Sequence, residues 1–247
     1  MSKIKKSSKA VIAAVIIAAL AVTAFGVLYN FGFSGLHNNP SSSENQIKVA
    51  CVGDSITYGH GIKNWSKNNY PSQLAELLGD SYCVANFGVS GSTAQNSGDK
   101  PYTEQKMYNE SLEFNADVIV IMLGSNDSKP ENWNGEKRFK EQYSALIKSY
   151  IKNNPNSKII LCSPAKPFYI GGETGGLMKF DINPEHFSEI CNVIEETAHD
   201  NECVYVDINA YTSDKSQWFS KDGIHPDANG AKEIANYIFE TINELDD

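Results

Sequence analysis

Arginine is almost missing from this chain, since only Arg138 among its 247 residues carries a guanidinium group. Because arginine supplies the planar, bidentate clamp for phosphate and carboxylate groups, such a clamp is excluded except around Arg138. The sequence also has no G-x-x-x-x-G-K-[ST] loop to cradle phosphates and no H-E-x-x-H motif to bind zinc. We therefore expect a protein that works without a metal ion or other cofactor.

Cysteine pairing motifs are absent as well. The five cysteines include no C-x-x-C pair, and their number is odd. Cys51 and Cys162 end apolar runs, where a free thiol behaves as a small buried hydrophobic group. These features argue against a cysteine metal site and leave open one disulfide, whose members the sequence does not identify.

Positive charge is scarce beyond the N-terminal segment. All 30 acidic residues follow position 43, together with only 17 of the 21 basic ones, so this part carries a formal charge of −13. Such a surface disfavours nucleic acid and anionic lipid headgroups as extended partners.

One long apolar run is present near the N-terminus. Residues 1–9 contain four lysines, and residues 10–29 follow as an uncharged run of twenty residues. As a helix this run spans about 30 Å, which matches the hydrocarbon core of a bilayer. We predict a transmembrane signal-anchor over residues 10–29, with the basic N-terminus in the cytoplasm and the remainder outside the cell membrane.

Two alternatives remain for this run: a secretory signal cleaved after Ala24, which would release a secreted protein, and a buried helix of a soluble fold. Residues 30–46 are rich in Asn, Ser and Gly and predict a flexible tether. Residues 47–247 are then expected to form a single folded domain.

Five short apolar runs alternate with five amphipathic segments in this domain. The runs are typical of parallel strands buried on both faces, and they cover residues 47–52, 82–87, 117–123, 158–162 and 203–208. The amphipathic segments predict helices over residues 70–78, 103–114, 136–153, 184–200 and 227–245. The alternation predicts a three-layer α/β/α sandwich around a parallel sheet, with its ligand beyond the carboxyl ends of the strands.

A serine stands directly after the first predicted strand, in the stretch G-D-S at residues 53–55. On a sharp strand-to-helix turn Ser55 is placed either as a nucleophile or as a helix cap. Asp222 and His225 lie before the last helix, and their spacing lets the carboxylate hold imidazole Nδ1 while Nε2 faces Ser55. A D-x-x-H pair alone also occurs in ordinary surface turns.

A nucleophilic serine also needs donors for the oxyanion that forms on the substrate. Gly88, after the second strand, and Asn126, after the third, offer a backbone N–H and a side-chain amide, and the Ser55 N–H is a third candidate. Each of these residues alone has an ordinary role in a turn. Together they predict a serine hydrolase site at one edge of the sheet.

These four blocks resemble those of the SGNH (GDSL) hydrolase family of esterases, lipases and thioesterases, and the resemblance covers about residues 47–245. It implies a flavodoxin-like five-stranded sheet of order 2-1-3-4-5. It also implies that Ser55, Gly88, Asn126 and His225 form the catalytic set, with Asp222 orienting the histidine. Asp54, Ser90 and Asp127 match the family's local patterns as residues that shape the loops.

Several further residues are candidates for the site, some with more than one interpretation. His60 lies close to Ser55 in sequence and is a rival base, a wall residue or an exposed group. Tyr58, Trp65 and Trp133 offer flat faces for sugar rings or serve as loop anchors. The long irregular segment 164–183 contains Phe168 and Tyr169, which we assign to substrate binding.

We expect an extracytoplasmic serine esterase that removes O-acetyl groups from carbohydrate. Its partners would be an acylated small molecule, glycan or lipid and the membrane, but no nucleic acid. A lysophospholipase or acyl-thioesterase is the alternative within the same chemistry. A surface protein that binds glycans without catalysis is the alternative from another class, although binding alone needs no nucleophile.

Overall fold

The computed structural model describes residues 39–245 and contains a five-stranded sheet in which every neighbouring pair is parallel. The strands run in the order β2-β1-β3-β4-β5. They are β1 (Ile47–Gly53), β2 (Tyr82–Gly88), β3 (Val118–Met122), β4 (Lys158–Cys162) and β5 (Val204–Val206). The predicted parallel sheet and its strand order are confirmed.

Eight α-helices lie in the described part of the chain. They are α1 (Ser55–Tyr58), α2 (Trp65–Asn68), α3 (Tyr70–Leu78), α4 (Lys106–Glu113), α5 (Glu136–Asn153), α6 (Pro184–Asp200), α7 (Ile208–Thr212) and α8 (Ala228–Glu244). Helices α3, α5 and α6 have the bounds expected from sequence. Strand β5 is shorter than expected, because the Asp207 carboxylate accepts the Ala210 N–H and starts α7.

Successive strand residues pack on opposite faces of the sheet. Val49 and Val120 belong to an apolar cluster that includes residues of α3 and α8. Ala50 and Ile121 belong to a second cluster that includes residues of α5 and α6. Because both faces are covered by helices, polar side chains that must meet a ligand are left to the loops at the sheet edge.

The segment 164–183 crosses this edge between β4 and α6. Ile170 and Leu177 exchange two backbone hydrogen bonds of 2.9 and 3.0 Å, which close a short antiparallel bridge. The Phe168 N–H donates to the Gly223 carbonyl oxygen at 2.8 Å. This bond ties the segment to the loop that precedes α8.

Within residues 39–245, no helix is long and apolar enough to cross a membrane. The predicted anchor at residues 10–29 lies outside the described residues. The last part of the predicted tether is held in place rather than free, because Asn39 exchanges two side-chain hydrogen bonds with the backbone of Asn86 in β2. All five cysteines are free thiols, and Cys51, Cys83 and Cys162 are buried.

Candidate active site

Helix α1 presents Ser55 at the carboxyl end of β1. The Asp54 carboxylate accepts the Ile56 N–H at 2.9 Å and caps the helix, while Gly59, at φ +89°, ends it after one turn. The capping role considered for Ser55 therefore belongs to Asp54. As the first residue of the helix, Ser55 has no intrahelical acceptor for its own N–H.

The side chain of His225 lies between Ser55 and Asp222. Its Nε2 is 2.9 Å from Ser55 Oγ, and its Nδ1 is 2.8 Å from Asp222 Oδ2. The other oxygen of Asp222 accepts the backbone N–H groups of Ile224 and His225 at 2.8 and 2.9 Å. The structure thus brings together three residues that sequence analysis joined as a catalytic set.

The protonation of this set follows from its hydrogen bonds. Burial alone would raise the pKa of Asp222, but the bonds from the His225 ring and from two backbone N–H groups outweigh it and hold the pKa well below its usual range. An ionised carboxylate only accepts hydrogen bonds, so Nδ1 donates to Asp222, and in the neutral imidazole this leaves Nε2 to accept the Ser55 hydroxyl. This is the arrangement that a general base needs.

A cavity of about 260 Å³ opens beside Ser55. One side is polar and includes Gly91, Asn126 and His60. The other side is apolar and is formed by Phe180, Ile182 and Ile224, and the Phe180 ring meets His225 edge-on with the ring centres 5.3 Å apart. The space beside the serine thus has one hydrogen-bonding wall and one apolar wall.

The structure corrects one of the expected oxyanion donors. The Gly88 N–H already donates to Asn86 Oδ1 at 2.9 Å, and Gly88 lies tightly under α1, where a Cβ would collide with the Tyr58 backbone. Gly91, three residues further along, lines the cavity at φ +83°, and its N–H has no acceptor among residues 39–245. Sequence analysis overlooked Gly91, although its position between two serines in a polar loop was a signal that could have pointed to it.

Asn126 reaches the cavity from the turn after β3. Its amide nitrogen donates to the Ser92 carbonyl oxygen at 3.1 Å and, over a longer distance of 3.4 Å, to Asp54 Oδ2. The Asn132 side chain in turn donates to the Asn126 carbonyl oxygen at 2.9 Å. The bond to Ser92 fixes the amide before a substrate arrives, and the N–H that makes only the long 3.4 Å contact is the one suited to stabilise charge that develops on a substrate oxygen.

Asp127 joins two of the loops that line the cavity. Its two carboxylate oxygens accept the N–H groups of Ala94 and Gln95, each at 2.9 Å, across from the loop after β2. The side chain is fully buried, and this burial, which outweighs the hydrogen bonds, raises the pKa of Asp127 to about 6. Asp127 therefore positions the site and lies outside the cavity.

His60 lies against the imidazole of His225, with 4.8 Å between the ring centres. Burial lowers the pKa of His60, and the neighbouring His225 lowers it further, whereas Asp222 opposes both effects. Its ring lines the cavity and has no side-chain carboxylate partner among the described residues. Of the roles considered for His60, a wall residue is the one that this geometry fits.

The aromatic residues expected to bind substrate lie elsewhere. Tyr58 and Trp65 are buried and stack on each other, with ring centres 4.8 Å apart, and Trp133 stacks on His186 at 5.0 Å. All three act as packing residues, in agreement with the role of loop anchor that sequence analysis also considered for them. Phe168 and Tyr169 line a different cavity, on the far side of Ile182 and Ile224. None of the five lines the cavity beside Ser55.

Sequence analysis also missed Lys129, Phe180 and Ile182 as wall residues. Lys129 lies three residues after Asn126, and this short separation was a sequence signal that it could line the same cavity. Phe180 and Ile182 lie at the end of the irregular segment, and no periodic pattern there indicates which side chains face the serine.

The sequence between residues 51 and 233 matches the model of the GDSL-like lipase/acylhydrolase family. A curated acetylxylan esterase from Xylanibacter ruminicola is 35% identical over an alignment that covers 84% of this chain and 45% of the relative. The chain thus spans about half the length of that relative.

Similar folds occur among solved structures. Est24, a carbohydrate acetylesterase from Sinorhizobium meliloti, aligns with a TM-score of 0.64 and 18% identity over 81% of this chain and 100% of its own. The acetyl xylan esterase AlAXEase aligns with a TM-score of 0.61 and 24% identity over 79% of this chain and 100% of its own. At these identities the likeness concerns the fold.

Replacing Asp127 by asparagine should change how stability depends on pH. The folded protein holds the Asp127 proton up to a pKa of about 6, against about 3.9 in an unfolded chain, so the wild-type free energy of unfolding falls as the pH rises between these values. Asparagine does not titrate. In urea unfolding, the stability difference between the two proteins should therefore shift in favour of Asp127→Asn by about 2 to 3 kcal/mol from pH 4 to pH 7. A constant difference would contradict the assignment.

Proposed function

The chain belongs to the GDSL-like lipase/acylhydrolase family, and on that premise we propose that it is a serine esterase that removes acetyl groups from carbohydrate. One observation carries the proposal: Ser55 Oγ, the His225 ring and the Asp222 carboxylate form a continuous hydrogen-bonded chain with links of 2.9 and 2.8 Å. Ser55 and His225, two members of this hydrogen-bonded series, line a cavity in which an ester carbonyl has access to the Ser55 hydroxyl.

In the first half of the reaction, Ser55 Oγ attacks the carbonyl carbon of the ester while His225 Nε2 takes the hydroxyl proton. Asp222 stabilises the imidazolium that results, because its carboxylate remains ionised beside Nδ1. The tetrahedral intermediate then expels the alcohol oxygen, which receives the proton from Nε2. The acetyl group is left on Ser55 as an ester.

In the second half, a water molecule gives a proton to His225 Nε2 and attacks the acetyl carbonyl carbon. The bond from this carbon to Ser55 Oγ then breaks, Oγ takes the proton back from Nε2, and acetic acid leaves. Both tetrahedral intermediates place negative charge on the former carbonyl oxygen. We assign its stabilisation to the N–H groups of Ser55 and Gly91 and the amide of Asn126, in place of the donor expected at Gly88.

The size of the cavity supports a small acyl group. Its volume of about 260 Å³ lies below the range of roughly 300 to 1,000 Å³ that is usual for drug-sized ligands. Phe180, Ile182 and Ile224 offer a short apolar wall that suits a methyl group. The curated relative that acts on acetylxylan and the negative charge after position 43 both favour an uncharged carbohydrate as the alcohol.

The two alternatives have less support. A lysophospholipase or acyl-thioesterase needs a long apolar groove, and the groove expected from Phe168 and Tyr169 is separated from Ser55 by an apolar cluster. A glycan-binding protein without catalysis has no use for a serine hydrogen-bonded to an oriented histidine.

We also propose that the enzyme works outside the cytoplasm, held by residues 10–29. The support is the sequence: four lysines in residues 1–9 precede a run without any charge.

Replacing Ser55 by alanine should lower the turnover of p-nitrophenyl acetate by roughly 10⁴- to 10⁶-fold, because no other group takes over the attack. The far-ultraviolet circular dichroism should stay unchanged. Ser66→Ala serves as the matched control and should keep full activity. A fluorophosphonate should label the wild type at Ser55, and an unlabelled, inactive wild type would instead favour the glycan-binding alternative.

The preferred length of the acyl chain distinguishes an acetylesterase from a lysophospholipase or acyl-thioesterase. We expect kcat/KM for p-nitrophenyl acetate to exceed that for p-nitrophenyl octanoate by at least about tenfold, because eight carbons exceed the apolar wall beside Ser55. Steady-state kinetics on both esters provide the measurement. A preference for octanoate would overturn the acetylesterase proposal while leaving the serine mechanism intact.

Cell fractionation tests the location. In cells that produce the full chain, the protein should sediment with membranes, and protease added to intact spheroplasts should degrade the domain that follows residue 46. Recovery from the medium would point to cleavage after Ala24. Recovery from the cytosol would contradict the proposed location.

A further inference from the structure

A second and larger cavity lies at the same edge of the sheet, beyond the ends of β4 and β5. Its volume is about 580 Å³, and it is bounded by α6, by residues 166–178 and by the loop after β5. We propose that this cavity binds a neutral oligosaccharide segment of the substrate, at a distance from the bond that is cleaved. The proposal rests on the proposed function, since it places a further part of the same carbohydrate.

The two cavities share one wall. Ile182, Phe187 and Ile224 form a small apolar cluster, against which Met178 and Cys191 pack. Ile182 and Ile224 line the cavity of Ser55, whereas Phe187, Met178 and Cys191 line the second cavity. Because only this small cluster separates the two spaces, one polysaccharide chain that passes over it has access to both.

Aromatic side chains provide the apolar part of the second cavity. Tyr169 and Phe168 line it from the irregular segment, and Tyr205 lines it from the edge strand β5. A pyranose ring has a face of C–H groups that packs on an aromatic ring, while the tyrosine hydroxyl remains available for hydrogen bonding.

Polar groups converge on the same space from two sides. Asn192 and Glu195 are exposed on one face of α6, three residues apart, and their side chains make no hydrogen bond within residues 39–245. Asp207, which caps α7, and Asn209, in the first turn of that helix, line the same cavity. Amides and carboxylates around an apolar surface match the hydroxyl groups that surround a sugar ring.

The charge of the cavity disfavours anionic ligands. Four carboxylates and a single ammonium group line it, namely those of Glu173, Glu195, Asp207, Asp214 and Lys166. This balance repels phosphates and uronic acids. Within residues 39–245, no group of three or more His, Cys, Asp or Glu side chains is arranged to hold a metal ion. With anions and metal ions disfavoured, we assign the cavity to a neutral sugar chain on the strength of its aromatic and hydrogen-bonding side chains.

Binding of sugars without acetyl groups tests the site apart from catalysis. The full chain in detergent is titrated with xylotetraose, cellotetraose and mannotetraose by isothermal titration calorimetry. At least one should bind, and Tyr169→Ala and Asn192→Ala should each raise its dissociation constant by about fivefold or more. Leu177→Ala, in the same segment, and Glu196→Ala, on the same helix, are matched controls that do not line the cavity and should bind as the wild type does.

Kinetics then connect the site to the reaction. The ratio of kcat/KM for the acetylated form of the bound tetrasaccharide to kcat/KM for p-nitrophenyl acetate should fall about fivefold or more in Tyr169→Ala and Asn192→Ala, and should stay constant in both controls. Absence of binding by all three sugars, or unchanged ratios, would overturn this inference while p-nitrophenyl acetate is still hydrolysed. Loss of the proposed function would instead appear as a wild type that hydrolyses neither ester.

Discussion

The parallel register of the central strands is the constraint on which the site depends. Gly53 at the end of β1 lies opposite Gly88 at the end of β2 and Met122 at the end of β3, so three chains leave the sheet at one level. The loops that follow them carry Ser55, Gly91 and Asn126. A slip of one strand would move its loop relative to the other two and separate groups that must meet a single carbonyl.

Two buried carboxylates hold these loops in place. Asp54 caps α1, and Asp127 accepts two backbone N–H groups from the loop after β2. Burial, as the largest effect, raises the pKa of both groups. The cost of burying them is offset in part by hydrogen bonds that leave the loops little freedom, which is what a preorganised oxyanion site requires.

The irregular segment divides the sheet edge into two spaces. Its tie to Gly223 connects it to the loop that carries Asp222 and His225, and its end supplies Phe180 and Ile182 to the small cavity. Tyr169, near the start of the segment, lines the larger cavity. A single segment therefore contributes to the walls of both spaces.

The sequence alone determined the parallel sheet and the bounds of α3, α5 and α6, because apolar periodicity and the neighbouring turn residues report local burial directly. The strand order came from the resemblance to the SGNH family, since no local pattern tells which strands are neighbours. Ser55, Asp222 and His225 were also recognisable, since their types and spacing are tied to one chemistry. The anchor at residues 10–29 remains a prediction from sequence.

Only the tertiary structure decided which groups face the serine. Gly88 and Gly91 are both glycines at or shortly after the end of β2, so the sequence does not distinguish them as donors. A backbone N–H is free to bind a ligand only when no neighbouring group accepts it, and the Asn86 side chain accepts the N–H of Gly88. Tyr58 and Trp65 bury their rings instead of offering them to a sugar. Whether a loop side chain points inward or outward depends on packing between segments far apart in the chain, which no local pattern encodes.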